Sequence, residues 1–268
     1  DALPIFAFAA LAVAQSLGLV LGPSIGGYFA EPAATWPGLR GSVWDRHPYL
    51  LPNVVYGGLV LVGGVLTAAM LPESRGGGAT GVPPPTFAAL ARNREFRLAA
   101  SCCWIQVAYF SAWLQTVVLI LQIPEHDAGF GLGPVEIGSM QNLAAVAVVL
   151  VGVRLYPALV RRSGLLAAYD CGWIANLLVT APFPLYTLWA AKRFGLWRMV
   201  GPTATLVVGA AGGALVNPTA FVWVNRSVPR AHLGHAGGAV AMGQALAQAA
   251  APPVFGAVFA LGEAASVR

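Results

Sequence analysis

Hydrophobic positions along this chain gather in long runs broken by short polar segments, with no sustained two-residue alternation of the strand kind. A run of about twenty apolar residues is what an α-helix needs to cross the hydrocarbon core of a bilayer. The pattern predicts seven such spans: about Leu3 to Phe29, Leu50 to Leu71, Leu98 to Ile123, Val135 to Tyr156, Leu165 to Ala190, Met199 to Val224 and Leu233 to Leu261. Between the first two, the segment from Glu31 to Tyr49 carries Pro32, Trp36, Pro37 and Trp44, with aromatics where a membrane-interface belt belongs. The longest polar stretch follows Pro72 and reads ESRGGGATGVPPPTFAALARNREFR; its Gly and Pro runs forbid continuous helix and mark a domain boundary. Pro157 and Gly164, in RLYPALVRRSG, predict the turn after the fourth span, and Pro182 and Pro184 interrupt the fifth. The expected fold class is all-α, a polytopic membrane protein.

Composition agrees with that picture. Apolar residues make up 57% of the chain, charged residues 9%, and the mean hydropathy is +0.71. So little charge leaves the bilayer as the solvent. The net charge of +5 comes from arginine, with Lys192 the one lysine. If the spans alternate, one face collects Arg75, Arg92, Arg94, Arg97, Arg154, Arg161, Arg162, Arg226 and Arg230, and the other Arg40, Arg46, Lys192, Arg193 and Arg198. The richer face is expected in the cytoplasm, and no basic patch suits nucleic acid. Cys102, Cys103 and Cys171 sit in apolar runs without CxxC or His spacing, which predicts packing residues and neither disulfides nor zinc. His232 and His235 are two imidazoles without a third ligand, so no metal and no cofactor are expected. No Ser/His/Asp set, phosphate-cradling loop or carboxylate pair points to an enzyme. The chain begins at Asp1, directly before a span and without a methionine, and reads as a fragment.

One segment stands out within the first span, Gly18 to Gly27, GLVLGPSIGG. Gly18, Gly22 and Gly26 recur every fourth residue and form a stripe without side chains, against which another helix can lie closely. Pro23 is expected to bend that helix, with Gly26 and Gly27 leaving room for the bend. Residues 252–260, PPVFGAVFA, laid over residues 22–30, GPSIGGYFA, keep Pro253 with Pro23, Gly256 with Gly26, Phe259 with Phe29 and Ala260 with Ala30. The two segments lie six spans apart and cross in the same direction, as in a parallel repeat of six-helix units. The expectation is that these bent helices are symmetry mates whose mutual contact forms a gate; the competing reading is generic small-residue packing.

GLVLGPSIGG resembles the antiporter motif on the fifth helix of drug:proton antiporters of the major facilitator superfamily. GGYFAEPA, HPYLLPN and LPES resemble its fungal and plant branch, which includes zinc-induced-facilitator-like transporters. NRSVPRAHLGHAGG, followed by QALAQAAAPPVFG, is similar to that family's stretch from the end of helix ten into helix eleven. The resemblance implies helices five to eleven of twelve. Residues 1–75 would be the end of the N-terminal half (helices five and six), 76–97 a cytoplasmic linker, and 98–268 the C-terminal half lacking its last helix. His235 departs from the small polar residue more usual there.

That assignment turns the third, fourth, sixth and seventh spans into lining helices of a central cavity. On the third, Cys102, Gln106, Tyr109 and Trp113 share a face; on the seventh, Gln244, Gln248 and Pro252 do. Asn142 and Gln141 lie on the fourth, and Asn217 precedes Pro218, where a helix discontinuity would free carbonyls. Polar groups at membrane depth avoid lipid, so these faces serve either substrate contact or interhelical hydrogen bonding. Asp170 is the one carboxylate plainly inside a span; proton coupling is one role for it, and pairing or snorkelling near the Arg161 and Arg162 loop is the favoured one. The implied activity is proton-coupled export of small organic molecules by alternating access, with the coupling acid in helices one to four. The partners would be substrate, protons and lipid, and the protein a monomer. The alternatives are a facilitator or symporter of the same fold and a seven-helix receptor.

Overall fold

The computed structural model describes residues 18, 22, 25–70, 86–124, 129–183, 185–186 and 197–266, and every regular element among them is helical. After residues 25–29, the end of the first span, the interfacial segment folds into three short turns: α1 (Pro32–Thr35), a 3-10 turn (Pro37–Leu39) and α2 (Val43–Arg46). The long helices are α3 (Leu50–Met70), α5 (Arg94–Gln122), α6 (Pro134–Leu150), α7 (Tyr156–Thr180), α8 (Trp197–Arg226) and α9 (Leu233–Ser266), with the short α4 (Phe87–Arg92) leading into α5.

Four described stretches are long and apolar enough to cross a membrane: Leu50–Met70, Arg94–Gln122, Pro134–Thr180 and Arg198–Arg226. The third of these, at 47 residues, is too long for one crossing and is broken at Gly164, whose φ of +86° belongs to the left-handed region that glycine tolerates. α9 is not among these four described stretches, and some of the side chains toward its end lie outside the described residues. Most of the first span, the linker from 71 to 85 and the segment from 187 to 196 lie outside the described residues.

Two boundaries differ from the sequence reading. Pro157 does not end the fourth span; it stands in the first turn of α7, just after a π turn over Val151–Leu155. Proline has no amide to bond the carbonyl four residues back, and a widened turn absorbs that loss without stopping the helix. α8 likewise runs unbroken through Pro202 and Pro218. Each is followed by a threonine whose hydroxyl donates to a carbonyl in the preceding turn, Thr203 to Met199 at 2.6 Å and Thr219 to Leu215 at 2.8 Å. Discontinuity at Asn217 is therefore replaced by a helix with hydroxyl-bonded carbonyls beside each proline.

α8 is the hub of the C-terminal bundle, packing on α5, α6 and α7. Two buried clusters flank it. One joins Trp113, Val117 and Leu121 of α5 to Ile137, Met140 and Ala144 of α6 and Leu206 and Ala210 of α8. The other joins Ala100 and Cys103 of α5 to Ala220 and Val224 of α8 and Ala236 and Val240 of α9, a set small enough for close approach. Outward positions such as Leu166, Leu177, Leu178 and Leu246 are exposed leucines that suit lipid.

Candidate functional site

The start of α5 is fixed by Asn93, whose Oδ1 accepts from the amides of Glu95 (3.0 Å) and Phe96 (3.3 Å) while its Nδ2 donates to the Ser227 carbonyl just beyond α8 (2.8 Å). Further along α5, Tyr109 shares a 2.5 Å hydrogen bond with Thr180 of α7 and packs on Trp173. At the other end, Arg198 donates to the carbonyls of Phe130 and Gly131, holding the loop between α5 and α6 against the start of α8. These ties set α5 as a rigid wall.

Two cavities open along that wall. The inner one, of about 290 Å³, lies among α5, α6, α8 and α9, and Gln106, Asn217 and Gln248 bring amides to walls made otherwise of groups such as Phe110, Val148 and Ala210. Gln106 is 7% exposed, and its Oε1 is buried without a hydrogen-bond partner. The outer cavity, about 450 Å³, is lined by Gln115, Thr116 and Gln122 of α5, Gln141 of α6, and Pro252, Phe255 and Gly256 of α9. A cleft of about 50 Å³ lies between Phe110, Trp113, Leu114 and Gln141, and Leu114 lines all three spaces. Among the described residues, none that lines these spaces carries a formal charge.

Of the expected cavity residues, the structure brings together Gln106, Asn217 and Gln248. Tyr109 turns toward α7, and Trp113 is buried with its ring where a Cβ at Gly209 would fall, bordering the small cleft. Gln244 and Asn142 are half-buried on α9 and α6, outside the walls of both cavities. Gln115 and Gln122 went unnoticed, although their seven-residue spacing on one helix face is visible in the sequence. Asp170 is exposed on α7, away from the cavities.

Most of the first proline-glycine helix, and with it the expected contact between the two, lies outside the described residues; its described glycines have these neighbours. The Gly22 carbonyl accepts from the Tyr56 hydroxyl of α3, and Gly27 lies so near α6 that a Cβ would stand 2.9 Å from the Pro134 carbonyl oxygen. Gly18 is exposed, and Pro23 lies outside the described residues. Pro253 is exposed on α9, and Gly256 borders the outer cavity with open space where its Cβ would be. The first-span glycines thus face α3 and the start of α6, and α9 packs on α5. Among the described residues no group of His, Cys, Asp and Glu is placed to hold a metal ion.

Comparison with known proteins places this arrangement. The chain is 26% identical to a probable peptide/nitrate transporter of Arabidopsis thaliana over 85% of its own length and 51% of that protein's. It is 23% identical to the zinc induced facilitator-like 1 protein of Arabidopsis thaliana over 96% of its length and 57% of that protein's. A 59-residue stretch is 42% identical to a major facilitator superfamily multidrug transporter of Aspergillus fumigatus, covering 21% of this chain and 10% of that one. The chain therefore spans about half the length of the two plant relatives. No solved structure matches at comparable significance. The family model described as Major Facilitator Superfamily matches residues 5–252, and the chain, an integral multi-pass membrane protein, belongs to that superfamily.

Proposed function

We propose that this chain supplies one wall of the substrate path in a transporter that exports small organic molecules by alternating access, driven by proton antiport. The observation that carries the reading is the inner cavity: three amides, Gln106, Asn217 and Gln248, set at membrane depth in apolar walls. The Gln106 Oε1, buried without a hydrogen-bond partner, is costly unless something polar meets it, and an uncharged, hydrogen-bonding solute does so without the desolvation penalty of a charge. The similarity to a multidrug transporter supports organic solutes as the class. In this reading the two halves rock about the cavity, as in parallel-repeat transporters.

A second reading, facilitated diffusion, is favoured by one observation: among the described residues no charged side chain lines the cavity. Proton antiport then requires a titratable group on the facing half. Vesicles containing the complete transporter separate the readings. Uptake of an uncharged solute that accelerates when a proton gradient is imposed, and collapses with a protonophore, is the expected result. Gradient-independent flux in both directions would establish the facilitator, and absence of solute flux under either condition would overturn transport through this cavity.

A further inference from the structure

The inner and outer cavities stack along the same three helices. On α5, Gln106 borders the inner space and Gln115 and Gln122 the outer; on α9, Gln248 borders the inner and Pro252 the outer; on α6, Val148 borders the inner and Gln141 the outer. Sixteen residues separate Gln106 from Gln122, about 24 Å at the rise of an α-helix, so the two sets of amides lie at different depths in the membrane. Beside both lies a small cleft of Phe110, Trp113, Leu114 and Gln141, apolar but for the Gln141 amide at its outer edge, and Leu114 is the side chain common to all three spaces. A narrow, mainly apolar neck between two amide-bearing spaces resists water and charged solutes more than it resists an uncharged molecule.

We propose that Gln115, Gln122 and Gln141 form an outer station for an uncharged substrate that bears hydrogen-bonding groups on an apolar body, and that Leu114 is the barrier between this station and the inner amides. The inference rests on the reading of the inner cavity as part of a transport path. A substrate leaving Gln106 gives up its hydrogen bonds, crosses the apolar neck, and regains partners at the outer glutamines. A permanently charged solute gains no counter-ion from the described residues of either station, none of which carries a formal charge.

The test uses the complete transporter carrying Gln106→Cys or Gln122→Cys and an impermeant, charged methanethiosulfonate added from the side on which α5 ends. Labelling of the unsubstituted protein gives the background from its native cysteines, Cys102, Cys103 and Cys171 among them. The expected result is that Gln122→Cys reacts several-fold faster than Gln106→Cys, and that adding Leu114→Ala speeds Gln106→Cys several-fold with Gln122→Cys unchanged. Equal rates at the two positions, or no response to Leu114→Ala, overturn the barrier. With the solute identified by vesicle uptake, Gln122→Leu is expected to slow turnover several-fold at nearly constant KM, because the inner amides set affinity; unchanged turnover overturns the outer station. A labelling pattern as expected in a protein without solute flux would leave the geometry standing and remove the transport reading. Flux without that pattern would remove this inference alone.

Discussion

The indole of Trp104 on α5 fills the space that a side chain at Gly243 on α9 would need, and its Nε1–H donates to the Val240 carbonyl at 3.1 Å. Lipid tails are as apolar as leucine, so helices in a membrane gain little by hiding apolar surface and depend on close fit and interhelical hydrogen bonds. Gly243→Leu in the complete transporter is therefore expected to lower the detergent melting temperature clearly, and adding Trp104→Ala is expected to recover part of the loss. Trp104→Phe removes the hydrogen bond, worth about 1 kcal/mol, together with part of the indole that packs on Gly243, so its cost is expected to exceed that of the bond alone. Thermal unfolding followed by size-exclusion chromatography checks both, and a Gly243→Leu protein as stable as its parent would refute the fit.

A second close approach joins α7 to α8. A Cβ at Gly172 would stand 2.7 Å from the Gly212 carbonyl oxygen, and one at Gly212 would stand 2.7 Å from the Gly172 carbonyl oxygen and 2.7 Å from Asn176 Nδ2. Backbone on both sides cannot yield as a flexible side chain does. Gly172→Ala and Gly212→Ala should each destabilise, and the double variant should lose less than the two losses added, because the first substitution already separates the helices. Strict additivity in melting temperature would show that the helices do not share one contact.

The apolar runs were enough to read helix positions, because a bilayer demands continuous backbone hydrogen bonding over a fixed length: α3, α5, α8 and α9 begin within a few residues of the expected spans. Which way side chains face inside a bundle was read less well. When every surface is apolar, periodicity does not separate a face that meets lipid from one that meets protein. On α5, Gln106, Tyr109 and Trp113 fall on a common stripe, yet Gln106 reaches the cavity, Tyr109 reaches Thr180 and Trp113 is seated over Gly209. The glycine stripe of the first span was legible as a place for close contact, but its partner was not. Tyr56 and Pro134, which approach those glycines, carry no mark in the sequence that pairs them with it. Prolines misled for a local reason, since a π turn before Pro157 and threonine hydroxyls beside Pro202 and Pro218 let the helices continue.

Asn93 does two jobs with one amide, and substitutions can separate them. Its oxygen caps α5 and its nitrogen ties α5 to Ser227. Asn93→Asp keeps the acceptor and adds a charge favourable at a helix N-terminus, but cannot donate to Ser227; Asn93→Ala loses both. The alanine variant is expected to cost about 1 kcal/mol for the cap alone, and the aspartate variant to fall between it and the parent in melting temperature. An aspartate variant as unstable as the alanine one would mean that the tie to Ser227, and not the cap, holds this end of the helix.

Gln106 offers the sharpest separation of stability from transport. Its buried Oε1 has no hydrogen-bond partner, a desolvation cost of about 1–3 kcal/mol by general experience with unsatisfied buried groups. A residue kept only for packing would not carry that cost, since methionine has similar length and no orphaned acceptor. Gln106→Met is accordingly expected to raise the melting temperature of the complete transporter while lowering its solute flux several-fold. Gln106→Glu would place an ionisable group in a wall whose described residues carry no charge, and its flux should recover as pH falls and the carboxyl becomes neutral. Melting curves and vesicle uptake on the same preparations decide the matter. Stability and flux falling together in Gln106→Met would make the amide an interhelical tie, and flux unchanged at higher stability would remove Gln106 from the path of the solute.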